Sequence, residues 1–163
     1  METEKSRKDI IKEIEVFLEK QFGTPVARTG LPKSIDIHCK KDGKDTYFCV
    51  MAVSFDEKKN TYFDATVSSE WEFIKEQREK GVTVWYVIYR KDIEEQDKRI
   101  VLLTPEQVLV CSMPYLQSFH IKLNITKEEL ENPKILDGRK PQVKEKKLYD
   151  AIRRYNEIKD SFK

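Results

Sequence analysis

Hydrophobic residues near the start of the chain recur at the spacing of one helix face. They are Ile10, Ile11, Ile14, Phe17 and Leu18. This spacing predicts an amphipathic helix over residues 7–22. Ser6, with Asp9 three positions later, is typical of a helix start, and Gly23 follows where helices commonly end. The first predicted element is therefore a helix with one apolar face to bury.

The next part of the chain changes to the patterns of β-strands. Residues 34–40 alternate between apolar and polar side chains, and residues 46–53 form an almost unbroken apolar run. Alternation predicts a half-exposed strand, whereas an unbroken run is typical of a strand buried on both faces. Asp42 and Gly43 form a hairpin-turn signal between them. A third strand is predicted over residues 61–67.

The second half of the chain mixes the two patterns. A helix should end at Gly81, and residues 82–89 predict an apolar strand in the centre of the sheet. Thr104, followed at once by a proline, predicts the start of another helix. Residues 118–123 alternate and predict an edge strand. The last predicted element is an amphipathic helix within residues 148–162.

The order of these elements predicts the fold class. A helix, three strands in a meander, a crossover helix and a further strand imply an α/β fold, in which helices flank both faces of a mixed β-sheet. A length of 163 residues is typical of one domain. We expect a core over about residues 7–90 and a C-terminal extension over about residues 91–163.

Composition places the chain among globular proteins. Charged residues make up 37% of the chain, yet the formal net charge is only +2, which falls short of the strongly basic balance of a dedicated DNA-binding domain. Three cysteines without CxxC spacing predict buried thiols rather than disulfides or a zinc site. No apolar run is long enough to span a membrane, and the charged start METEKSRKD does not resemble a signal peptide. We therefore expect a cytoplasmic protein without membrane association.

Four segments carry the predicted helix and strands in sequence: IIKEIEVFLEKQFG, SIDIH, YFCVMAVS and YFDATVSSEWEFIKEQREKGVTVWYVIYR. In this order they resemble the core of the PD-(D/E)xK nuclease superfamily, which includes Holliday-junction resolvases and many restriction enzymes. The resemblance covers about residues 8–90. It implies a restriction-endonuclease-like αβββαβ core with C-terminal strand and helix additions. It also implies a Mg²⁺ site built from a helix Glu, a strand Asp and a Glu-x-Lys triplet on the next strand.

Two of these site positions have a counterpart in the chain and two do not. Glu13 resembles the acid of the helix, and Asp36 resembles the strand Asp, the residue that would bind the metal. The Glu and Lys of the triplet fall on Cys49 and Met51. Mg²⁺ prefers oxygen ligands, which neither a thiol nor a thioether supplies. The resemblance therefore implies a degenerate catalytic motif at these two positions.

Alternative interpretations of the site stay open. In the first, the catalytic groups have moved, so that Asp64 on the third strand supplies a carboxylate and Glu70 or Lys75 on the following helix reaches in. In the second, the true triplet is the DEK sequence at residues 56–58. In the third, Asp36 is an ordinary solvent-facing residue of its strand.

Basic residues on both sides of Asp36 are candidates for nucleic-acid binding. Arg28 and Lys33 precede it and Lys40 follows it, and such side chains make phosphate contacts in nucleic-acid complexes. Residues 134–163 are also net positive, but acidic residues are interleaved with the basic ones. That mixture is more typical of the solvated face of a helix.

These observations favour a nuclease-like domain that does not cleave and that binds DNA or RNA, or a protein partner that processes nucleic acids. One alternative is an active metal-dependent endonuclease with displaced catalytic residues. Another is a protein-interaction or regulatory module without nucleic-acid binding. Only the active endonuclease requires a cofactor, which would be Mg²⁺.

Overall fold

The computed structural model of the protein describes residues 6–29, 36–67, 71–115 and 120–139, without the side chains of residues 64–67, 71–74, 112–115 and 120–122. The first helix, α1 (Arg7–Phe22), has the predicted bounds. The Ser6 hydroxyl accepts a hydrogen bond from the Asp9 N–H at 3.2 Å. Gly23 ends the helix with φ at 66°, in the left-handed region that favours glycine. Both predicted helix ends are confirmed.

The described strands and the other helices follow in chain order. They are β1 (Ala27–Arg28), β2 (Ile37–Lys41), β3 (Lys44–Asp56), β4 (Thr61–Val67), α2 (Trp71–Glu79), β5 (Thr83–Arg90), α3 (Gln96–Arg99), β6 (Ile100–Leu103), α4 (Pro105–Val110), β7 (Ser112–Tyr115), β8 (His120–Thr126), α5 (Lys127–Glu131) and a 3-10 helix at Pro133–Leu136. The order helix, three strands, helix, strand expected from the sequence is that of α1, β2, β3, β4, α2 and β5. The two-residue strand β1 is an addition to it.

The long strand β3 joins the whole sheet together. Its first half, residues 44–48, pairs with β2 in antiparallel fashion, and residues 46–53 pair with β5 in parallel. Its last three residues, 54–56, pair with β4. Strands β4, β8 and β7 then continue the sheet, while β6 pairs with β5. The sheet is therefore mixed, and β3 is shared by its two parts.

Side chains of β3 alternate between two hydrophobic cores on opposite faces of the sheet. On one face Phe48 and Val50 pack with the apolar stripe of α1. On the other face Cys49, Met51 and Val53 pack with residues of α4, α5 and the 3-10 helix. Helices thus cover both faces, which confirms the predicted α/β class with a mixed, flanked sheet.

The hairpin between β2 and β3 was also predictable from its two turn residues. Asp42 has φ at 54° and Gly43 has φ at 77°. A two-residue turn of this kind needs positive φ at both central positions, and Asp-Gly is among the sequences that tolerate it best.

The strand predicted over residues 118–123 is present in its described part as β8, but the prediction that it lies at the edge of the sheet was wrong. Strand β8 lies between β4 and β7, and β7 was not predicted at all. Strand β7 was missed because it contains Pro114, and proline argues against a strand since it cannot donate a hydrogen bond to the neighbouring strand. Here Pro114 sits on β7, which pairs only with β8 among the described strands. An outer strand of this kind tolerates proline on its unpaired side.

Two further expectations concern the C-terminal helix and membrane-spanning helices. The C-terminal helix predicted within residues 148–162 lies outside the described residues. Among the described helices, none combines the length and the hydropathy needed to cross a lipid bilayer.

Candidate functional site

The strand β3 changes partners in its middle, and Asp36 lies at that point. Pairing with β2 ends at Phe48, and pairing with β4 begins at Ser54. Asp36 directly precedes β2, and its N–H donates to the Phe48 carbonyl at 3.0 Å. The Asp36 carboxylate then accepts a hydrogen bond from the Val50 N–H at 2.8 Å. The side chain of Asp36 thus continues the ladder where the backbone of β2 no longer does.

The other oxygen of the Asp36 carboxylate binds Arg7, the first residue of α1. Arg7 Nη2 lies 2.8 Å from Asp36 Oδ1, and the same nitrogen donates to the Val50 carbonyl at 3.4 Å. The Asp36 side chain is 9% exposed, whereas that of Arg7 is 55% exposed. We call the group Arg7, Asp36 and Val50 the Asp36 site. It joins α1, β2 and β3 through one nearly buried carboxylate and one partly exposed guanidinium.

Glu13, the predicted helix acid, makes a different contact. It forms an ion pair with Arg99, at the end of α3, and both side chains are nearly buried. The Arg99 guanidinium also lies over the Tyr89 ring, 5.3 Å from its centre. Glu13 follows Arg7 by six residues, which is about 9 Å along the helix axis. Glu13 and Asp36 therefore pair with different arginines, and the two ion pairs lie at different positions along α1.

Cys49 and Met51, which the resemblance aligns with the Glu-x-Lys triplet, are buried in the core on the face of the sheet opposite α1. All three cysteines of the chain are buried and none forms a disulfide, as predicted. Burial raises the pKa of Cys111 to about 12, and burial also raises the pKa of the Cys39 thiol. Thiols with raised pKa values are poor nucleophiles at neutral pH.

The residues at this point of the fold do not fit Mg²⁺. The Asp36 carboxylate is bound by an N–H group and a guanidinium, and Glu13 is bound by Arg99. Cys49 and Met51, the residues expected at the two remaining motif positions, offer sulfur, whereas a hard cation needs oxygen. Within the part of the chain that the structure describes, no group of three His, Cys, Asp or Glu side chains is arranged to hold a metal ion.

The alternative catalytic residues are placed as follows. The backbone of Asp64 lies on β4 and pairs with Leu123 of β8, but the Asp64 side chain is outside the described atoms. Asp56 ends β3, and its carboxylate accepts hydrogen bonds from the N–H groups of Lys58 and Lys59 at 3.0 and 3.3 Å. Residues 56–58 therefore lead into an exposed turn stabilised by Asp56. Glu70 is outside the described residues, and Lys75 is exposed on α2.

Two of the three basic residues proposed to contact nucleic acid are described. Arg28 lies exposed on β1, where its Nε donates to Glu15 of α1 at 2.9 Å. Lys40 is exposed on β2. Lys33 lies outside the described residues. Arg28 and Lys40 therefore lie on neighbouring strands but on opposite faces of the sheet, because Arg28 pairs with Ile37 on the α1 side, whereas Lys40 alternates with the buried Cys39.

Arg7 is the residue of this site that sequence reasoning missed. A signal for it exists in the sequence, because Arg7 directly follows the helix cap Ser6. The first turn of a helix carries partial positive charge, so a cation is disfavoured there unless an acid compensates it. A basic residue at this position therefore predicts a carboxylate from another part of the fold beside it. In the structure that carboxylate is Asp36.

The chain is similar to known proteins in structure rather than in sequence. No protein family matches the sequence, and no curated protein matches it. The structure of a Holliday junction resolvase from the archaeal hyperthermophile Archaeoglobus fulgidus is similar, with a TM-score of 0.47 and 12% sequence identity. The match covers 73% of this chain and 89% of the resolvase. At this level, the similarity carries no conclusion about activity, substrate or site residues.

Proposed function

We propose that this protein is a nuclease-like domain that binds nucleic acid without cleaving it. The observation that carries the proposal is the Asp36 site. Its carboxylate is held by the Val50 N–H and the Arg7 guanidinium, at 2.8 Å from each. The Arg7 guanidinium thus balances the negative charge of the carboxylate, which a bound metal ion would balance in a metal-dependent enzyme.

The chemistry of phosphodiester hydrolysis explains why this arrangement favours binding over cleavage. A bound metal ion polarises the phosphoryl group and activates the attacking water. That role needs several oxygen ligands around one ion. Cys49 and Met51 offer sulfur, and both are buried in the opposite core. Residues that remain at the surface here, such as Arg7, are suited to bind a phosphate group rather than to cleave the phosphodiester bond.

The proposed nucleic-acid surface consists of Arg7 and Arg28 on the α1 side of the sheet, with Lys40 as a further cation on the opposite face. Arg7 lies at the start of α1, and the other two lie on β1 and β2. Each is exposed enough to reach a ligand, and electrostatic contacts of this kind bind backbone phosphates with little regard to base sequence. A nucleic-acid-processing protein as the partner is the second candidate, and carboxylates on its surface would contact the same exposed cations.

Fluorescence anisotropy with labelled nucleic acids tests the proposal. Duplex, four-way-junction and single-stranded DNA, together with RNA, are titrated with the protein at low salt in the presence of EDTA. We expect binding to at least one of them, weakening steadily as salt is added because phosphate contacts release counterions. No binding to any of these ligands would contradict the proposal and would favour the protein-interaction module.

A further inference from the structure

Arg7 is held in place from two sides while a large part of it remains exposed. Its Nη2 atom contacts the Asp36 carboxylate and the Val50 carbonyl. More than half of the side chain, 55%, is nevertheless accessible to solvent. A guanidinium carries five N–H donors in one plane. The contacts described for Arg7 use one terminal nitrogen, so the group can meet a ligand without leaving Asp36.

The position of Arg7 also favours an anion. It is the first residue of a 16-residue helix, α1, whose dipole creates positive potential at this end. Arginine binds phosphate oxygens in pairs, with a geometry that lysine does not reproduce. A guanidinium that is already oriented loses less conformational freedom on binding than a freely moving one.

We propose that Arg7, oriented by Asp36, contacts a backbone phosphate of the bound nucleic acid and stands in for the divalent cation of a nuclease-like site. In a metal-dependent site a carboxylate holds a metal ion, and the ion holds the phosphate. In this protein the carboxylate holds a guanidinium, and the guanidinium holds the phosphate. Asp36 is a positioning residue in this arrangement, and binding needs no metal. The inference rests on the proposed function.

The experiment compares Arg7→Ala with a matched control, Arg139→Ala. Arg139 is 51% exposed and is also paired with a carboxylate, that of Glu129 at 2.6 Å, but it lies after the 3-10 helix. These two variants, Arg7→Lys and the wild type are titrated with the best-bound nucleic acid at several salt concentrations, with EDTA and with Mg²⁺. Circular dichroism and thermal unfolding establish that each variant is folded.

We expect Arg7→Ala to weaken binding about tenfold. The slope of log K against log salt, which is negative, should become less steep by about one, as for the loss of one phosphate contact. Arg7→Lys, which keeps the charge, should retain the slope and lose affinity only in part. Arg139→Ala should bind like the wild type, and EDTA should change nothing.

The outcomes separate this inference from the proposed function. If the wild type binds no nucleic acid, the proposed function fails and the role of Arg7 fails with it. If the wild type binds and Arg7→Ala matches it in affinity and salt slope, only the role of Arg7 is overturned. Binding by the wild type that disappears in EDTA would overturn the claim that Arg7 stands in for a metal.

Discussion

At the scale of single residues, Asp36 shows how one side chain serves backbone structure and charge at once. One oxygen satisfies the Val50 N–H, and the other pairs with Arg7. A buried N–H group left without an acceptor costs free energy comparable to a lost hydrogen bond or more. Asp36 is therefore part of the fold itself, in contrast to the interpretation that it is an ordinary solvent-facing strand residue.

Replacing Asp36 should for this reason destabilise the protein even without any ligand. We expect Asp36→Ala to lower the free energy of unfolding by about 2 kcal/mol, most of it from the stranded Val50 N–H, because the partly exposed Arg7 contributes little. Urea unfolding followed by circular dichroism measures it. Glu57→Ala, in an exposed turn, is the control and should change stability by less than about 0.5 kcal/mol. An Asp36→Ala variant as stable as this control would refute the structural role.

At the scale of elements, α1 is fastened to the sheet in three places. The Asp36 site holds its first residue, and the ion pair between Glu13 and Arg99 holds its middle. Along the same helix, Ile10, Ile14 and Leu18 are buried against the sheet. Glu13 thus has a structural explanation in its contact with Arg99, on the segment that leads into β6.

The Glu13–Arg99 pair gives a test of that explanation. Glu13→Leu should cost about 3 kcal/mol of unfolding free energy, because it leaves the nearly buried charge of Arg99 without its partner. Combining it with Arg99→Met should recover most of the loss, since well-packed apolar residues replace such pairs at little cost. Chemical denaturation of the two single variants and the double variant measures this. Additive losses in the double variant would mean that the pair is not coupled.

Much of the element order could be predicted from the sequence, and the exceptions have physical causes. α1 and the turn at Asp42 and Gly43 follow from local patterns, namely helix periodicity, capping residues and positive φ. Strand β7 was missed because Pro114 is unfavourable in most strands. The partners of Glu13 and Asp36 could not be predicted, because both arginines approach from distant parts of the chain.

At the scale of the whole molecule, β3 holds two parts of one sheet together, and a buried arginine strengthens the junction. Arg90, at the end of β5, is only 2% exposed. Its Nε and Nη2 donate to the Tyr62 hydroxyl of β4 at 3.2 and 2.8 Å, and Nη2 also lies 3.3 Å from Glu131 of α5. The Tyr62 hydroxyl donates in turn to Asp92 at 2.9 Å. Burial raises the pKa of the Tyr62 hydroxyl, which extends to higher pH the range over which it remains a donor.

The candidate site itself was predictable only in part. The sequence led to Asp36 and to the sulfur-bearing residues Cys49 and Met51, because a resemblance gave each position a chemical expectation. The replacement of a metal by Arg7 depends on the fold, since α1 must pack across β2 and β3 before its first residue can reach Asp36. A helix start and a strand start 29 residues apart meet only in the folded molecule.

The most direct test of the account is to measure cleavage and binding in the same samples. End-labelled DNA, both duplex and four-way junction, is incubated with the protein and Mg²⁺ or Mn²⁺, and the bound and cut fractions are resolved on native and denaturing gels. The account predicts bound DNA with every strand intact, and the same binding in EDTA. Metal-dependent cutting that disappears in Asp36→Ala would contradict it and would show an active nuclease with displaced ligands.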